Sequence, residues 1–247
     1  MLSRRVALWL VAPLAMAACT KPAHPRGGTS ASASAAPTDT PTDDPPLASG
    51  SAEPAPVPGP EVRLEDRMAA IPAGSFTMGA DNGSGDEKPR RVEVAAFEID
   101  VTEVTTGAYT TCVTLGGCAA PAPTVWWQGI TPAEELMYSA LCNYAHPDRA
   151  DHPINCVNWE NARSYCAWKQ KRLPTEQEWE YAARGADGRH YPWGNDAPGP
   201  KLLNACGPEC RALTKSNKAP MYDGDDGFGA TAPVGSFPAG NSPFGLT

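Results

Sequence analysis

Residues 158–194 read NWENARSYCAWKQKRLPTEQEWEYAARGADGRHYPWG, and they decide the fold because they encode two short helices joined by a tight turn. Asn158 can cap the first helix, since its side chain can accept a hydrogen bond from a free backbone N–H of the first turn. The stretch contains four of the chain's seven tryptophans, so it predicts a helix pair within a core. Four residues of the first helix share one face: Ala162, Tyr165, Cys166 and Lys169.

The second helix has clear boundaries in the sequence. Thr175 can cap it, and Glu178, three residues later, completes a capping box. Gly185 follows the helix at a position where a glycine in the left-handed αL conformation commonly ends one. Residues at i, i+3 and i+4 predict that one apolar face of this helix is buried. That face consists of Trp179, Ala182 and Ala183.

The run KRLPTEQEWEYAARG at 171–185, followed by YPWG at 191–194, resembles the signature of the formylglycine-generating enzyme family, the sulfatase-modifying factors. The resemblance extends from about residue 71 to residue 247. It implies an α+β fold, the turn-rich C-type-lectin-like fold of that family, with a small antiparallel sheet and few short helices. Because only the first two thirds of the family domain are matched, the fold is expected to be incomplete at the C-terminus. Three further motifs support the family resemblance: EVT at 103–105, TAPVGSFP at 231–238 and FGL at 244–246.

Residues 1–19 are typical of a lipoprotein signal peptide. A positively charged start, an apolar run over residues 6–14 and small residues before Cys19 resemble a bacterial lipobox, with Met16 in place of the usual leucine. Cys19 is therefore the predicted lipidation site, carrying palmitate-type acyl chains that anchor the protein in the bacterial cell envelope. The alternative is an ordinary secreted protein in which Cys19 is incidental. The apolar run is shorter than the ~20 residues that a transmembrane helix needs.

The composition separates a linker from a domain. Residues 20–61 are rich in Pro, Ala, Ser and Thr and are predicted to be a disordered tether, because such a segment buries too little apolar surface to fold. Residues 62–247 are then expected to form one folded domain, which the resemblance implies is a sulfatase-modifying factor domain. The net charge of −8, without a basic run, excludes nucleic acid as a partner.

Strand signals lie at the start of the domain. Residues 68–79 predict a strand, a turn and a second strand, with Phe76 and Met78 inward. Residues 91–102 switch apolar parity, which predicts a β-bulge or a break near residues 96–97. Thr105 is expected to cap a helix that ends near Thr114. Residues 81–86 are interpreted as a solvated loop, because they lack the final glutamate of an EF-hand calcium loop.

Eight cysteines in an exported chain favour disulfides over zinc, since the sequence has no CxxC motif and no histidine lies at zinc-ligand spacing from a cysteine. Cys166 is left over once Cys19 carries lipid. The family frequently has a cysteine here that pairs near the C-terminus of the domain, but no such partner exists. The alternative is a buried free thiol. Proximity in sequence alone favours three pairs: Cys112–Cys118, Cys142–Cys156 and Cys206–Cys210.

The resemblance also implies a structural calcium site. Calcium takes about six to eight oxygen ligands, and the family supplies them from an asparagine, the next carbonyl, and the Asp and Phe of a DGF triplet. The alternative is an Asp- and Gly-rich turn without an ion. Carried to this sequence, the metal ligands are Asn204, Ala205, Asp226 and Phe228.

The resemblance leaves three functional hypotheses open. Family enzymes hold Cu(I) between two thiolates and oxidise the cysteine of a Cys-x-Pro-x-Arg motif, but the copper-binding pair lies beyond the matched region. Copper is therefore expected only in the complete family domain, and no catalytic residue is assigned. The hypotheses are a tethered maturation factor acting on a sulfatase or other envelope protein, a non-catalytic lectin-like binding module, and another metal-dependent oxidase or sulfoxide synthase. Carboxylates that resemble an acid–base cluster are interpreted as capping and helix-dipole groups: Glu176, Glu178 and Glu180.

Overall fold

The computed structural model describes residues 18–23, 63–80, 87–215 and 219–247. These residues fold into two small antiparallel sheets and five short α-helices. The strands are β1 (Thr20–Pro22), β2 (Met68–Ile71), β3 (Gly74–Met78), β4 (Arg90–Val94) and β5 (Phe97–Asp100). The helices are α1 (Thr106–Thr114), α2 (Pro132–Ser139), α3 (Trp159–Trp168), α4 (Glu176–Arg184) and α5 (Pro208–Thr214). This is the turn-rich α+β arrangement that the sequence predicts.

The predicted strand break near residues 96–97 is confirmed. The chain leaves β4 at Val94 and starts β5 at Phe97, and the two strands enter different sheets. In one sheet β4 pairs with β3, with Phe76 opposite Val92. In the other, β5 lies between β1 and β2, with Ile71 opposite Phe97. The parity switch therefore directs the two apolar sets to two different sheets.

Two apolar clusters form the core of the described region. The first joins both sheets to α4, and the second joins α1 to α3. The first contains Ile71, Phe76, Val94, Phe97, Ile99, Tyr181 and Ala182. The second contains Cys19, Val104, Tyr109, Cys112, Ile154, Tyr165 and Cys166.

The predicted start of α3 is confirmed. The Asn158 side chain accepts a hydrogen bond from the backbone N–H of Asn161 at 2.8 Å, and the Asn161 side chain accepts one from the backbone N–H of Asn158 at 3.4 Å. The predicted face is buried at Ala162, Tyr165 and Cys166. The predicted cap of α1 is confirmed as well, because Thr105 Oγ1 accepts from Ala108 N–H at 3.1 Å.

The capping box of α4 is confirmed, but its buried face differs from the prediction. Tyr181 and Ala182 are the buried residues, whereas Trp179 and Ala183 are half-buried. The reason is the packing of Tyr181 against Phe76, with ring centroids 5.3 Å apart. The expected αL conformation at Gly185 is also wrong: its φ of 67° is positive, but its ψ of −155° lies outside the αL region.

The first strand of the structure falls in the segment predicted as linker. Thr20–Pro22 form β1 and pair with β5, so this part of residues 20–61 belongs to the domain. The predicted signal peptide up to residue 17, linker residues 24–61 and the loop at 81–86 lie outside the described residues. Within the described part of the chain, every helix is too short or too polar to cross a lipid bilayer.

All three predicted disulfides are confirmed, and a fourth joins Cys19 to Cys166. Both expectations for Cys166, a C-terminal partner and a free thiol, are therefore wrong in this structure. The Cys19–Cys166 pair was not predicted because the sequence analysis assigned Cys19 as the lipidation site and so excluded it from disulfide pairing. Lipidation of Cys19 remains a prediction, but it requires the sulfur atom that the structure places in this disulfide.

Replacing Glu178 with glutamine is expected to lower the free energy of unfolding by about 1 kcal/mol at neutral pH. Glu178 Oε2 accepts from Thr175 N–H at 2.9 Å and from the Arg172 guanidinium at 2.7 Å. Burial raises the pKa of Glu178, but the hydrogen bonds from Arg172 and Thr175 outweigh it, so that the pKa lies below its ordinary value.

The stabilisation from a depressed carboxyl pKa is fully present above the unfolded-state pKa of about 4.3, and it is lost as the pH falls through the folded-state pKa. The difference between wild type and Glu178→Gln should therefore narrow in acid, as measured by urea denaturation at several pH values. Glu176→Gln is the matched control, because Glu176 is exposed in the same helical turn. An equal loss in both variants would contradict the capping role.

Candidate cation site

Two loops and the start of α5 converge on one group of oxygen atoms. The first loop precedes α5 and ends in Cys206, which is bonded to Cys210 of the helix. The second loop returns alongside it, and Met221 N–H donates to the Cys206 carbonyl at 3.0 Å. The disulfide spans only four positions, so it holds the first turn of α5 against both loops.

The structure brings the four predicted metal ligands together around Asp226. Asp226 Oδ1 accepts from Phe228 N–H at 2.8 Å, and Oδ2 accepts from Ala205 N–H at 3.2 Å. The Asn204 amide nitrogen lies 3.2 Å from Asp226 Oδ2 and 3.5 Å from the Phe228 carbonyl. Residues 204–205 and 226–228 therefore form one polar centre, as the DGF resemblance implied.

Two further carboxylates that the sequence analysis did not assign join this centre. One ligand oxygen each from Glu209, Asp225 and Asp226 lies within 4.8 Å of the other two. Asp225 directly precedes the predicted ligand Asp226, so its position in the sequence could have identified it as a further candidate ligand. Glu209 carried no such signal, because only the Cys206–Cys210 disulfide and the first turn of α5 bring it to the site.

Glu209 has one oxygen free for a ligand. Its Oε1 accepts from Gly207 N–H at 3.1 Å, while Oε2 is buried and lacks a hydrogen-bond partner in the described structure. A side chain at Gly207 would crowd this carboxylate, since a Cβ atom there would lie 2.5 Å from Glu209 Oε1. A buried carboxylate oxygen without a partner is costly, and a bound cation would supply the missing interaction.

Tyr222 forms hydrogen bonds with two residues of the same centre, Ala205 and Asp226. Its hydroxyl accepts from Ala205 N–H at 3.0 Å and donates to Asp226 Oδ2 at 2.6 Å. Burial, followed by the hydrogen bond to the Asp226 carboxylate, raises the pKa of Tyr222. The hydroxyl therefore stays protonated at neutral pH and remains a donor to Asp226.

The donor set fits calcium. Three carboxylates and nearby carbonyls supply the hard oxygen ligands that calcium prefers, and the orphaned Glu209 oxygen marks where an interaction is missing. The Asn204 amide must turn its oxygen inward to serve as a ligand, which exchanges two atoms of nearly equal size. Copper does not fit these oxygens, because Cu(I) prefers soft thiolates.

The carboxylates of α4 are engaged in structural contacts. Glu178 belongs to the capping box and binds Arg172, while Glu180 pairs with Arg184 and accepts from Gly79 N–H at 2.9 Å. The predicted capping role is confirmed for Glu178, whereas Glu180 forms an ion pair with Arg184 instead of a cap, and Glu176 is exposed in the first turn of α4. All eight cysteines of the chain are described, and all lie in disulfides.

The tryptophans are less buried than the sequence analysis expected. Trp159 is 53% exposed and lies under the Arg163 guanidinium, 5.2 Å from the ring centroid. Trp126 and Trp127, in the loop before α2, are 76% and 43% exposed. Tyrosines rather than tryptophans fill the centre of both apolar clusters.

Comparisons with known proteins find similarity to the family whose signature the run at 171–185 resembles. The family described as "Sulfatase-modifying factor enzyme 1-like domain" matches residues 54–247. The formylglycine-generating enzyme of Bos taurus is 32% identical over 226 residues, which is 75% of this chain and 56% of that protein. The "Inactive C-alpha-formylglycine-generating enzyme 2" of Bos taurus is 33% identical over 210 residues, covering 72% of this chain and 66% of that protein.

A third relative carries a different name. The hercynine oxygenase of Mycolicibacterium smegmatis is 28% identical over 215 residues, which is 77% of this chain and 45% of that protein. The chain thus spans about half to two thirds of the length of the relatives it matches. Names that include both an enzyme and an inactive form mean that similarity alone does not assign activity.

Proposed function

Because the chain belongs to the sulfatase-modifying factor family, we propose that it serves in the oxidation of a cysteine within a Cys-x-Pro-x-Arg segment of an exported sulfatase-type protein. The residues described here supply the calcium-stabilised scaffold of this function. They do not supply the thiolates that react. One observation carries this division: every cysteine of the chain is engaged in a disulfide.

The division follows from the chemistry of the family reaction. Oxidation through Cu(I) requires two thiolates that hold the metal, and thiolate sulfur is the ligand type that Cu(I) prefers. In this chain the closest pair in sequence, Cys206 and Cys210, is oxidised and lies beside the oxygen-rich centre. The described residues therefore bind and orient the substrate in this proposal, and none of the eight disulfide-bonded cysteines is assigned as a copper-binding thiolate.

Calcium, in this proposal, is held by the carboxylates of Glu209, Asp225 and Asp226 with Asn204 and two backbone carbonyls, those of Ala205 and Phe228. Its charge would offset the mutual repulsion of three carboxylates within 4.8 Å.

The calcium loops lead directly into the 231–238 segment. There Thr231 Oγ1 accepts from the buried Asn143 amide at 2.9 Å, and Val234 N–H donates to the Asp151 carbonyl at 2.9 Å. Calcium would thereby stabilise the contact between this segment and the Cys142–Cys156 loop.

The test uses a fluorescent peptide that contains Cys-x-Pro-x-Arg. The 247-residue chain is expected to bind this peptide, measured by anisotropy, and to form no formylglycine from it in the presence of Cu(I) and O2. A peptide with alanine in place of the proline and arginine is the matched control. Conversion of the peptide would overturn the assignment of the reacting thiolates. Equal or absent binding of both peptides would overturn the maturation function.

A non-catalytic binding module is the second candidate, and the exposed aromatic residues favour it. Trp127 and Tyr138 form an edge-to-face pair with ring centroids 5.4 Å apart, and Trp126 is 76% exposed beside them. Exposed aromatic rings provide flat apolar surfaces for ligands. In the anisotropy assay, a non-catalytic binding module is expected to bind the Cys-x-Pro-x-Arg peptide and the control peptide equally or to bind neither. The similarity to hercynine oxygenase supports a third candidate, a metal-dependent oxidase that acts on another substrate.

The proposed location is the bacterial cell envelope, with a lipid anchor on Cys19 as the link to the membrane. The residues before Cys19 resemble a lipobox, with Met16 in place of the usual leucine. The anchor requires the Cys19 thiol, and the structure describes the form in which that thiol is oxidised.

A further inference from the structure

We propose that Cys19 is a branch point between two mutually exclusive forms of this protein. In one form Cys19 carries the lipid anchor, residues 18–23 are undocked and Cys166 is a free thiol. In the other form Cys19 is bonded to Cys166 and residues 18–23 are part of the domain. The second form is the one that the structure describes, and the inference rests on the proposed anchor for the first.

The docked segment is an integral strand of its sheet. Thr20 and Arg172 exchange two backbone hydrogen bonds, of 2.7 and 2.9 Å, while β1 pairs with β5 on its other edge. The Cys19 carbonyl accepts from Asp100 N–H at 3.0 Å, and Cys19 N–H donates to Asp100 Oδ2 at 2.9 Å. Lys21 forms a 3.0 Å ion pair with Glu98. The segment thus contacts β5 and the start of the 172–175 turn along its length.

The surroundings of the Cys19 side chain leave no room for an acyl chain. Cys19 and Thr20 are both 0% exposed, and Cys166 is 1% exposed. Cys19 belongs to the apolar cluster of α1 and α3. The cavity beside Cys166 has a volume of about 10 Å³, enough for roughly one water molecule. A diacylglyceryl group on Cys19 is therefore incompatible with the docked strand.

The two forms also exclude each other chemically, because one sulfur atom enters only one of the bonds. In lipidation the Cys19 thiolate attacks the glyceryl carbon of a glycerophospholipid: a C–S thioether bond forms, the C–O bond to the phosphate breaks, and the phosphorylated head group leaves with the thiol proton. In docking the Cys19 and Cys166 thiols lose two protons and two electrons to the disulfide of an exported thiol oxidoreductase, which becomes a dithiol. Each reaction consumes the thiol that the other needs.

The domain retains a charge partner for Asp100 when the strand leaves. Lys171 Nζ pairs with Asp100, and both side chains are largely buried. The negative charge of Asp100 is therefore still paired with Lys171 when the Cys19 N–H is absent, so the lipidated form does not contain an unpaired buried charge at this position. What undocking frees is the Ile99 edge of β5 and the Cys166 thiol.

The experiment counts thiols in the two forms of the full chain. The protein is exported in a bacterium that lipidates envelope proteins, then separated into detergent and aqueous phases and treated, unfolded and unreduced, with a maleimide mass tag. The detergent-phase form is expected to carry one alkylatable thiol per chain, at Cys166, and the aqueous form none. A tryptic digest without reductant should join the Cys19 peptide to residues 164–169 in the aqueous form only.

Variants separate the failure of this inference from the failure of the proposed anchor. Cys166→Ala should raise the detergent-phase share, while Cys112→Ala/Cys118→Ala, which removes a different disulfide, should leave it unchanged. An acylated form without a free thiol, or an unchanged share in Cys166→Ala, would overturn the branch point. If no variant enters the detergent phase, the anchor itself is wrong, and a wild-type Cys19–Cys166 peptide would then assign Cys19 to the disulfide alone.

Discussion

Removing calcium with EGTA is expected to lower the melting temperature of the folded chain by roughly 5 to 10 °C. A ligand that binds only the native state stabilises it by about 2.7 kcal/mol when its concentration is about 100 times its Kd. For a domain of about 150 to 250 residues, 1 kcal/mol corresponds to a shift of about 2 to 4 °C. Without the ion, three carboxylates within 4.8 Å repel one another, and Glu209 Oε2 has no partner.

Glu209→Gln tests the site more sharply than a change at Asp226, because Asp226 also holds the N–H groups of Ala205 and Phe228. The variant is expected to lose most of the calcium-dependent shift while keeping the melting temperature that wild type has in EGTA. Asp223→Asn is the matched control, since Asp223 is exposed and lies outside the three-carboxylate group. A wild-type midpoint that EGTA leaves unchanged would exclude a stabilising ion here.

Replacing Tyr181 with alanine is expected to lower the free energy of unfolding by about 3 to 5 kcal/mol, the usual cost of truncating a buried aromatic residue. Tyr181 is 5% exposed, and its ring lies between Phe76 and Phe244 at centroid distances of 5.3 and 5.6 Å. It therefore links α4 to β3 and to the last residues of the chain. Urea denaturation monitored by circular dichroism would measure the loss.

Trp179→Ala is the comparison that gives this prediction its meaning. Trp179 is half-buried, so its truncation should cost clearly less than that of Tyr181. Tyr181→Phe keeps the ring between Phe76 and Phe244 and should retain most of the stability. A larger loss in Trp179→Ala than in Tyr181→Ala would mean that the face expected from the sequence, not the face in the structure, is buried.

Features that depend on neighbouring residues were predictable from the sequence. The Asn158 cap, the capping box at Thr175 and the strand break after Val94 each depend on a few consecutive residues. The three short disulfide loops belong to the same class, because cysteines a few positions apart meet without any other part of the fold. The DGF resemblance likewise brought Asn204 and Asp226 to one site.

What the sequence by itself determined is thus the local framework: helix ends, strand ends, short disulfides and membership of the family. Only the tertiary structure decided the partner of Cys19, 147 positions away at Cys166, and the approach of Glu209 to Asp225 and Asp226. It also decided which face of α4 is buried. Successive helical residues point about 100° apart, so a helix with apolar residues on adjoining faces takes its orientation from what packs against it.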